Sequence, residues 1–527
     1  MTRSWWGWGD QERHLDRDAL ESLGAEIARR FGLDGLTVRD PADVEDLDLA
    51  PPRLEPPPAL AKVTDDRYLR ALHGHGQSFR DVARAFRGDV PGLPDLVAMP
   101  DDAEDVARIL DWCADASAAC VPFGGGTSVV GGVTRPPDDG LTVSLDLAAL
   151  AGILEVDVGS QAARIGAGTP GPAIEDGLRP HGLTLRFFPQ SWEFSTLGGW
   201  IATRAAGHHA TLRTHIDDHV EAVSAVTPTG RWESRRLPAS GAGPSPDRLL
   251  LGSEGSLGVV TEAWVRVIAR PVFRADATVT FPDFTTGAGA VRALTQSGLC
   301  PAGCRLLDPA EAAISGAGNG SVAVLVLGFE SADHPLDPWV DRAVELCRDH
   351  GASSVDGPHL REGDRTGAAE GAGGRWRETF LQAPYLRDAL VALGTVVETF
   401  ESAMTWERLD GFVTSVSEAA RTAAEEVCGA AHVAVRLTHA YPDGAAPYWT
   451  VVAPGRDGSQ VEQWDEIKAA VGEAILAAGG TITHHHAVGR DHRPWYDRQR
   501  PDPFARALAA AKRELDPAGI MNPGALL

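Results

Sequence analysis

Five glycines fall within nine residues directly after an apolar run, in Val121-Pro-Phe-Gly-Gly-Gly-Thr-Ser-Val-Val-Gly-Gly132. Residues 119–123 read as a buried strand, and a chain that leaves a strand through three consecutive glycines has no Cβ atoms to hold a partner away from its backbone. N–H groups can then converge on an anion, with the hydroxyls of Thr127 and Ser128 beside them, so the segment is expected to cradle a phosphate or pyrophosphate. An ordinary tight turn needs fewer glycines. The lysine that P-loop nucleotide hydrolases carry after their glycines is missing, which argues against nucleoside triphosphate hydrolysis. A literal G-x-G-x-x-G also occurs, at Gly166-Ala-Gly-Thr-Pro-Gly171. It is read as a turn, because prolines stand at 170 and 172 and Leu185-Arg186 occupies the distance at which a ribose-binding acid belongs.

Two further segments have a similar make-up. Pro189-Gln-Ser-Trp-Glu-Phe-Ser-Thr-Leu-Gly-Gly-Trp-Ile-Ala-Thr-Arg-Ala-Ala-Gly207 combines hydroxyls, paired glycines and a helix-like start, and Leu251-Gly-Ser-Glu-Gly-Ser-Leu-Gly-Val-Val260 precedes a strand. Three cradles in one region point together to a long, phosphate-bearing, polyhydroxylated ligand. That ligand is not a nucleic acid: 73 acidic against 48 basic residues leave a net charge of −25, and such a surface repels polyanions and acidic membranes.

The 527 residues predict several domains with real cores. A small helical piece and a proline-rich connector fill 1–92, and a mixed helix and strand region, the cofactor domain, covers 93–270. A second sheet with helices on one face covers 271–480, and 481–527 forms a C-terminal return. In the cofactor domain, Val106, Ile109, Leu110 and Cys113 make one helix face, and short β-type runs stand at 141–145, 153–158 and 163–167. In the second, strands are expected at 275–281, 322–329, 432–437 and 448–452, helices at 335–350, 406–427 and 460–476, and a mobile loop at 358–374. The fold class is therefore α+β. The longest apolar run, near 321–329, is far short of the roughly 20 residues that cross a bilayer. The N-terminus shows no secretory pattern and the C-terminus no S-K-L signal, and six cysteines without a C-x-x-C pair fit a reducing compartment, so a cytoplasmic protein is expected.

Near the C-terminus stands Thr483-His-His-His-Ala-Val-Gly489. On a strand only His484 and His486 would share a side, so a zinc site is not expected, and a general base or hydrogen-bonding cluster is the better reading. The pairs His208-His209 and His73-Gly-His75 are read as structural.

Taken in order, these segments resemble the vanillyl-alcohol oxidase type of FAD-binding family, and within it the alkyldihydroxyacetonephosphate synthases. The likeness runs from Trp6-Gly-Trp-Gly9 through Pro122–Ser128, Glu193–Trp200 and Gly252–Gly258. Its more specific matches are Arg305, Arg387, Glu398-Thr-Phe-Glu401, Tyr448 and the three histidines. The resemblance implies a two-subdomain FAD-binding fold plus an α/β substrate (cap) domain with an antiparallel sheet, with the C-terminal return packed on the FAD domain.

It implies FAD held without a covalent bond by Pro122, Phe123, Gly124, Gly125, Gly126, Thr127, Ser128, Gln190, Ser191, Ser195 and Thr196. The same contacts continue at Thr203, Arg204, Ala205, Ala206, Glu254, Gly255, Ser256, Leu257, Gly258, Val259 and Val260. The family reaction exchanges the acyl group of acyl-dihydroxyacetone phosphate for a fatty alcohol through a flavin N5 adduct, with no net redox change. In it Tyr448 would donate and accept a proton beside His484, His485 and His486, Arg305 would stabilise negative charge near the flavin, and Arg387 would bind substrate. Asp491 would bring a carboxylate close to the anionic head group. A homodimer and a peripheral contact with membranes are expected with that assignment. Two other readings stay open: a flavin dehydrogenase of 2-hydroxy acids of the glycolate or D-lactate type, and a flavin-binding protein with a degenerate site.

Overall fold

The computed structural model describes residues 2–58, 60, 62–136, 139–363 and 372–527. Its first sheet holds the glycine-rich segment. Leu96–Ala98, Thr142–Asp146 and Ala119–Phe123 lie parallel in that order, with Val63–Thr64 antiparallel on the outer edge. The helix Ala103–Asp115 is capped by the Asp102 carboxylate, which accepts from the Asp105 N–H. It buries Val106, Ile109, Leu110 and Cys113 against this sheet, the face that the helical period specifies.

A five-stranded antiparallel sheet follows, in the order Ile153–Asp157, Ala162–Gly166, Val259–Arg266, Val220–Thr227 and Gly230–Glu233. The expected turn at 166–171 joins Ala162–Gly166 to the helix Gly171–Leu178. Its glycines serve close packing: a Cβ at Gly168 would lie 1.9 Å from the Leu147 carbonyl oxygen.

The third unit is a large antiparallel sheet in the order Ser354–Glu362, Phe273–Phe281, Ala323–Ser331, Gly303–Leu307, His432–Ala440, Gly444–Pro454 and Thr395–Glu401, with Met404–Thr405 also paired to Gly444–Pro454. The expected helices appear as Asp337–Asp349, Leu409–Cys428 and Gln460–Ala477. Strand alternation divides the two faces of this sheet. Trp449 and Val451 turn into the core, where the Trp449 indole donates to Ser417 on Leu409–Cys428, and Tyr448, Thr450 and Val452 turn the other way.

Part of the expected loop at 358–374 is structured. Ser354–Glu362 is an edge strand on Phe273–Phe281 and a helix begins at Ala372; residues 364–371 of that stretch lie outside the described residues. This edge strand is mostly exposed and carries Asp356, Arg361 and Glu362, so it lacks the apolar alternation that marks inner strands. The N-terminal residues are not an outlying piece either. Trp5, Trp6, Ile27, Val38, Phe79 and Val82 share one buried cluster with Phe281, Phe400 and Trp449 of the large sheet.

Candidate active site

A cavity of about 390 Å³ has the glycine-rich segment on one wall and the free face of the large sheet on the other. That volume lies in the range of ordinary ligand sites. On the first wall stand Pro122, Gly124, Gly125, Gly126, Thr127 and Ser128, then Gln190, Ser191, Ser195, Thr196, Thr203, Ala205, Ala206, Glu254, Gly255, Gly258 and Val260. The backbone N–H groups of residues 124–128 donate to no described residue, which leaves a row of donors short of acceptors at the place where an anion was expected. Gly125 is required there by close contact: a Cβ would lie 2.0 Å from the Phe194 carbonyl oxygen.

The opposite wall comes from strand register. Arg436 pairs with Tyr448, and Tyr448 pairs with Glu401, so three residues far apart in sequence form one row across Thr395–Glu401, Gly444–Pro454 and His432–Ala440. The guanidinium carbon of Arg436 sits 3.9 Å from the centre of the Tyr448 ring. Burial raises the Tyr448 phenol above its ordinary value, so it carries its proton at neutral pH.

Glu401 fixes the histidines. Its Oε1 accepts from the Thr483 hydroxyl (2.7 Å) and from the N–H groups of His485 (3.1 Å) and His486 (2.9 Å), while its Oε2 accepts from the His484 N–H (2.5 Å). Burial opposes ionisation of this carboxyl, but the Thr483 hydroxyl and the three N–H groups donated to it hold it well below the usual carboxylate range. Residues 481–490 wrap around that carboxylate and are not a strand, contrary to the sequence expectation. Consequently His485 and His486, not His484 and His486, face the cavity together. Their rings stand 6.1 and 5.5 Å from the Tyr448 ring. Burial lowers the pKa of both imidazoles, to about 3 for His486, so both are neutral and weakly basic, and the Glu401 carboxylate, 3.6 and 3.7 Å from their Nδ1 atoms, is the group that favours a proton on them.

Other expected site residues lie elsewhere. His484 turns to the Tyr441 hydroxyl (2.8 Å) and packs by His215. Phe123 stacks on His73, and Arg204 turns away to Asp217. The Ser256 hydroxyl donates to the Ser253 carbonyl, and Leu257 and Val259 are core residues. None of these six lines the cavity. Arg305 does, and it donates to the His208 carbonyl. Arg387 also lines it, but its guanidinium is held by Asp388 (2.8 Å) and by Gln77 (2.7 Å). Asp491 pairs with Arg80 (2.6 Å) in a separate cavity and does not line this one.

Sequence reasoning passed over Glu311, Arg436, His439 and Trp8, all of which line the cavity. Arg436 could have been found from the alternation of His432–Ala440, since it is a charged residue inside a run of apolar ones. Trp8 arrives from the N-terminal segment, held by its N–H to Asp388, and no local pattern marks it.

The family model described as FAD binding domain matches residues 94–234, and that described as FAD linked oxidases, C-terminal domain, matches 270–526. The chain is 27% identical to an alkyldihydroxyacetonephosphate synthase of Dictyostelium discoideum, over 99% of this chain and 93% of that protein. It is 30% identical to the one of Caenorhabditis elegans, over 88% of this chain and 81% of that protein. A solved structure of an alkyldihydroxyacetonephosphate synthase superposes with a TM-score of 0.81 at 25% identity, covering 99% and 98% of the two chains.

Proposed function

Because this chain belongs to the alkyldihydroxyacetonephosphate synthase family of FAD-dependent enzymes, we propose that it makes ether lipids by exchanging the acyl group of acyl-dihydroxyacetone phosphate for a long-chain alcohol. FAD is its cofactor. The unpartnered N–H groups of residues 124–128 suit the pyrophosphate, with Ser195, Thr196, Ala205, Ala206 and Val260 along the rest of the molecule. When bound, oxidised flavin supplies an electrophilic ring system against which the dihydroxyacetone carbon can be held during the exchange.

The protein's own part is proton transfer and charge placement. A proton must leave the carbon beside the ketone and later return. The neutral imidazoles of His485 and His486 can accept it with the Glu401 carboxylate beside them to stabilise the added charge, and the protonated Tyr448 phenol can supply one from the same wall. Glu401 holds the two histidines at their stations, so it acts through them. Arg305 places positive charge on the cavity, and Arg387, through its ties to Gln77 and Asp388, shapes the end at which the head group would lie. The observation that carries the reading is this proton-transfer trio facing the anion-binding loop across one cavity. Substrates of this kind lie in membranes, so the reading includes peripheral contact; among the described residues no helix is long and apolar enough to cross one.

The test is to load the protein with FAD, add acyl-dihydroxyacetone phosphate and hexadecanol, and quantify ether lipid and free fatty acid. The two should appear in equal amounts without bleaching of the flavin. Anaerobic bleaching by D-lactate or glycolate with no ether formed would refute it in favour of hydroxy-acid oxidation.

A further inference from the structure

Three arginines line the cavity, and their nitrogens are not equally engaged. Arg387 donates from all three nitrogens, to Asp388 and Gln77, and Arg305 donates to the His208 carbonyl. Arg436 is 6% exposed; its Nη1 donates to Glu311 Oε1 at 2.6 Å, and its buried Nε has no acceptor among the described residues. Arg3, Arg135 and Arg500 also bury guanidinium nitrogens without an acceptor among the described residues, but of these four only Arg436 lines the cavity, and its Nη2 likewise donates to no described residue. The group is also held in place, its carbon 3.9 Å from the centre of the Tyr448 ring and its Nη1 paired to Glu311.

We propose that Arg436 is a substrate-contacting residue whose guanidinium receives a fatty carboxylate from the cavity, and that Glu311 limits how tightly this carboxylate is held. A guanidinium fork matches a planar carboxylate, and this one lies beside the proton-transfer phenol. The inference rests on the exchange reaction. There the bond between the dihydroxyacetone carbon and the ester oxygen breaks, and its electron pair leaves on the carboxylate. The alcohol oxygen forms the new bond to that carbon, and the alcohol's proton passes to a base of the site, with no net oxidation or reduction. Negative charge therefore appears on the departing group, and Arg436 offers it a fixed cation. Ile314 and Phe380, which line the same cavity, give an alkyl chain an apolar surface. Glu311, already paired with the guanidinium, competes with the product and favours its release.

The experiment uses FAD-loaded protein and sodium decanoate, with decanol as the uncharged control, and reads binding by calorimetry and by the perturbation of flavin absorbance. Arg436→Met should weaken decanoate at least tenfold and leave decanol unchanged. Arg436→Lys, which keeps the charge but lacks the fork, should fall between, and Glu311→Gln should tighten decanoate about threefold or more. A purely structural role would not give opposite signs for the two partners. Equal decanoate affinity in wild type and Arg436→Met overturns the proposal; if that variant loses its flavin, failure of Glu311→Gln to tighten binding overturns it instead. Wild-type protein that makes ether while decanoate binding ignores Arg436 refutes this inference alone. Protein that makes no ether yet binds decanoate through Arg436 refutes the exchange reaction alone.

Discussion

Replacing Glu401 by glutamine removes one charge and almost no volume, and the structure says where the cost falls. Oε1 accepts three hydrogen bonds, from the Thr483 hydroxyl and the N–H groups of His485 and His486, and Oε2 accepts one, from the His484 N–H. A glutamine keeps its remaining oxygen at the three-bond position and turns its NH2 toward His484. One buried N–H then faces a donor and loses its acceptor, which costs about 1–3 kcal/mol, and the three surviving bonds lose their charge assistance. Since the penalty is confined to the turn, it should appear as easier local opening there, with the rest of the molecule intact. Amide hydrogen exchange at His484, His485 and His486 should speed up about 5- to 150-fold, the equivalent of those energies, while the strands of the large sheet keep their protection. Turnover should fall with FAD retained, because His485 and His486 lose their fixed stations beside Tyr448. Unchanged exchange at these amides in Glu401→Gln would show that the carboxylate does not organise the turn.

Tyr448→Phe should keep its flavin spectrum and lose roughly 10²–10⁴-fold in turnover, the usual range for a positioned proton donor; activity within a few-fold of wild type would remove the phenol from the chemistry. Gly125→Ala should fail to retain FAD through gel filtration, since its Cβ would lie 2.0 Å from the Phe194 carbonyl oxygen; full flavin content would refute the close-approach argument. Stability should depend on pH from both sides. Burial raises Glu254 to about 7 in the folded state, so its contribution is complete below about 4.5 and is lost as pH rises through about 7. His486, lowered by burial to about 3, contributes fully above about 6.5 and loses that contribution as pH falls toward 3. Melting curves of Glu254→Gln should therefore lack part of the alkaline decline, up to about 3 kcal/mol, and keep the acidic one; an unchanged alkaline limb would mean that Glu254 is not buried protonated.

The glycine-rich loop was legible in the sequence because its composition and the strand before it are local. A strand ends at Phe123 and the glycines after it remove the Cβ atoms, while the loop's final position is fixed from distant chain, by Arg3 donating to the Gly125 carbonyl and the Gln77 N–H donating to the Ser128 carbonyl. The helix Ala103–Asp115 was legible for the same reason, its cap and buried face lying within one period. Side chains that reach across the chain were not. Arg204 stands among expected cofactor contacts, yet two acceptors on Asp217 draw it away, and Phe123 turns to His73. Strand alternation applied to His484-His485-His486 selected the wrong pair, because a carboxylate from residue 401 bends that segment into a turn.

By itself, then, the sequence determined the α+β class, the second sheet with its helices and the glycine-rich exit from a strand, all of which follow from backbone sterics and from a short-range pattern of apolar residues. Only the tertiary structure decided which of those residues meet. The row Arg436, Tyr448 and Glu401 exists because three strands pair in one register, and a slip of one residue would turn each of them to the other face of the sheet. Register is a property of the packed sheet and its helices, so no single segment carries it.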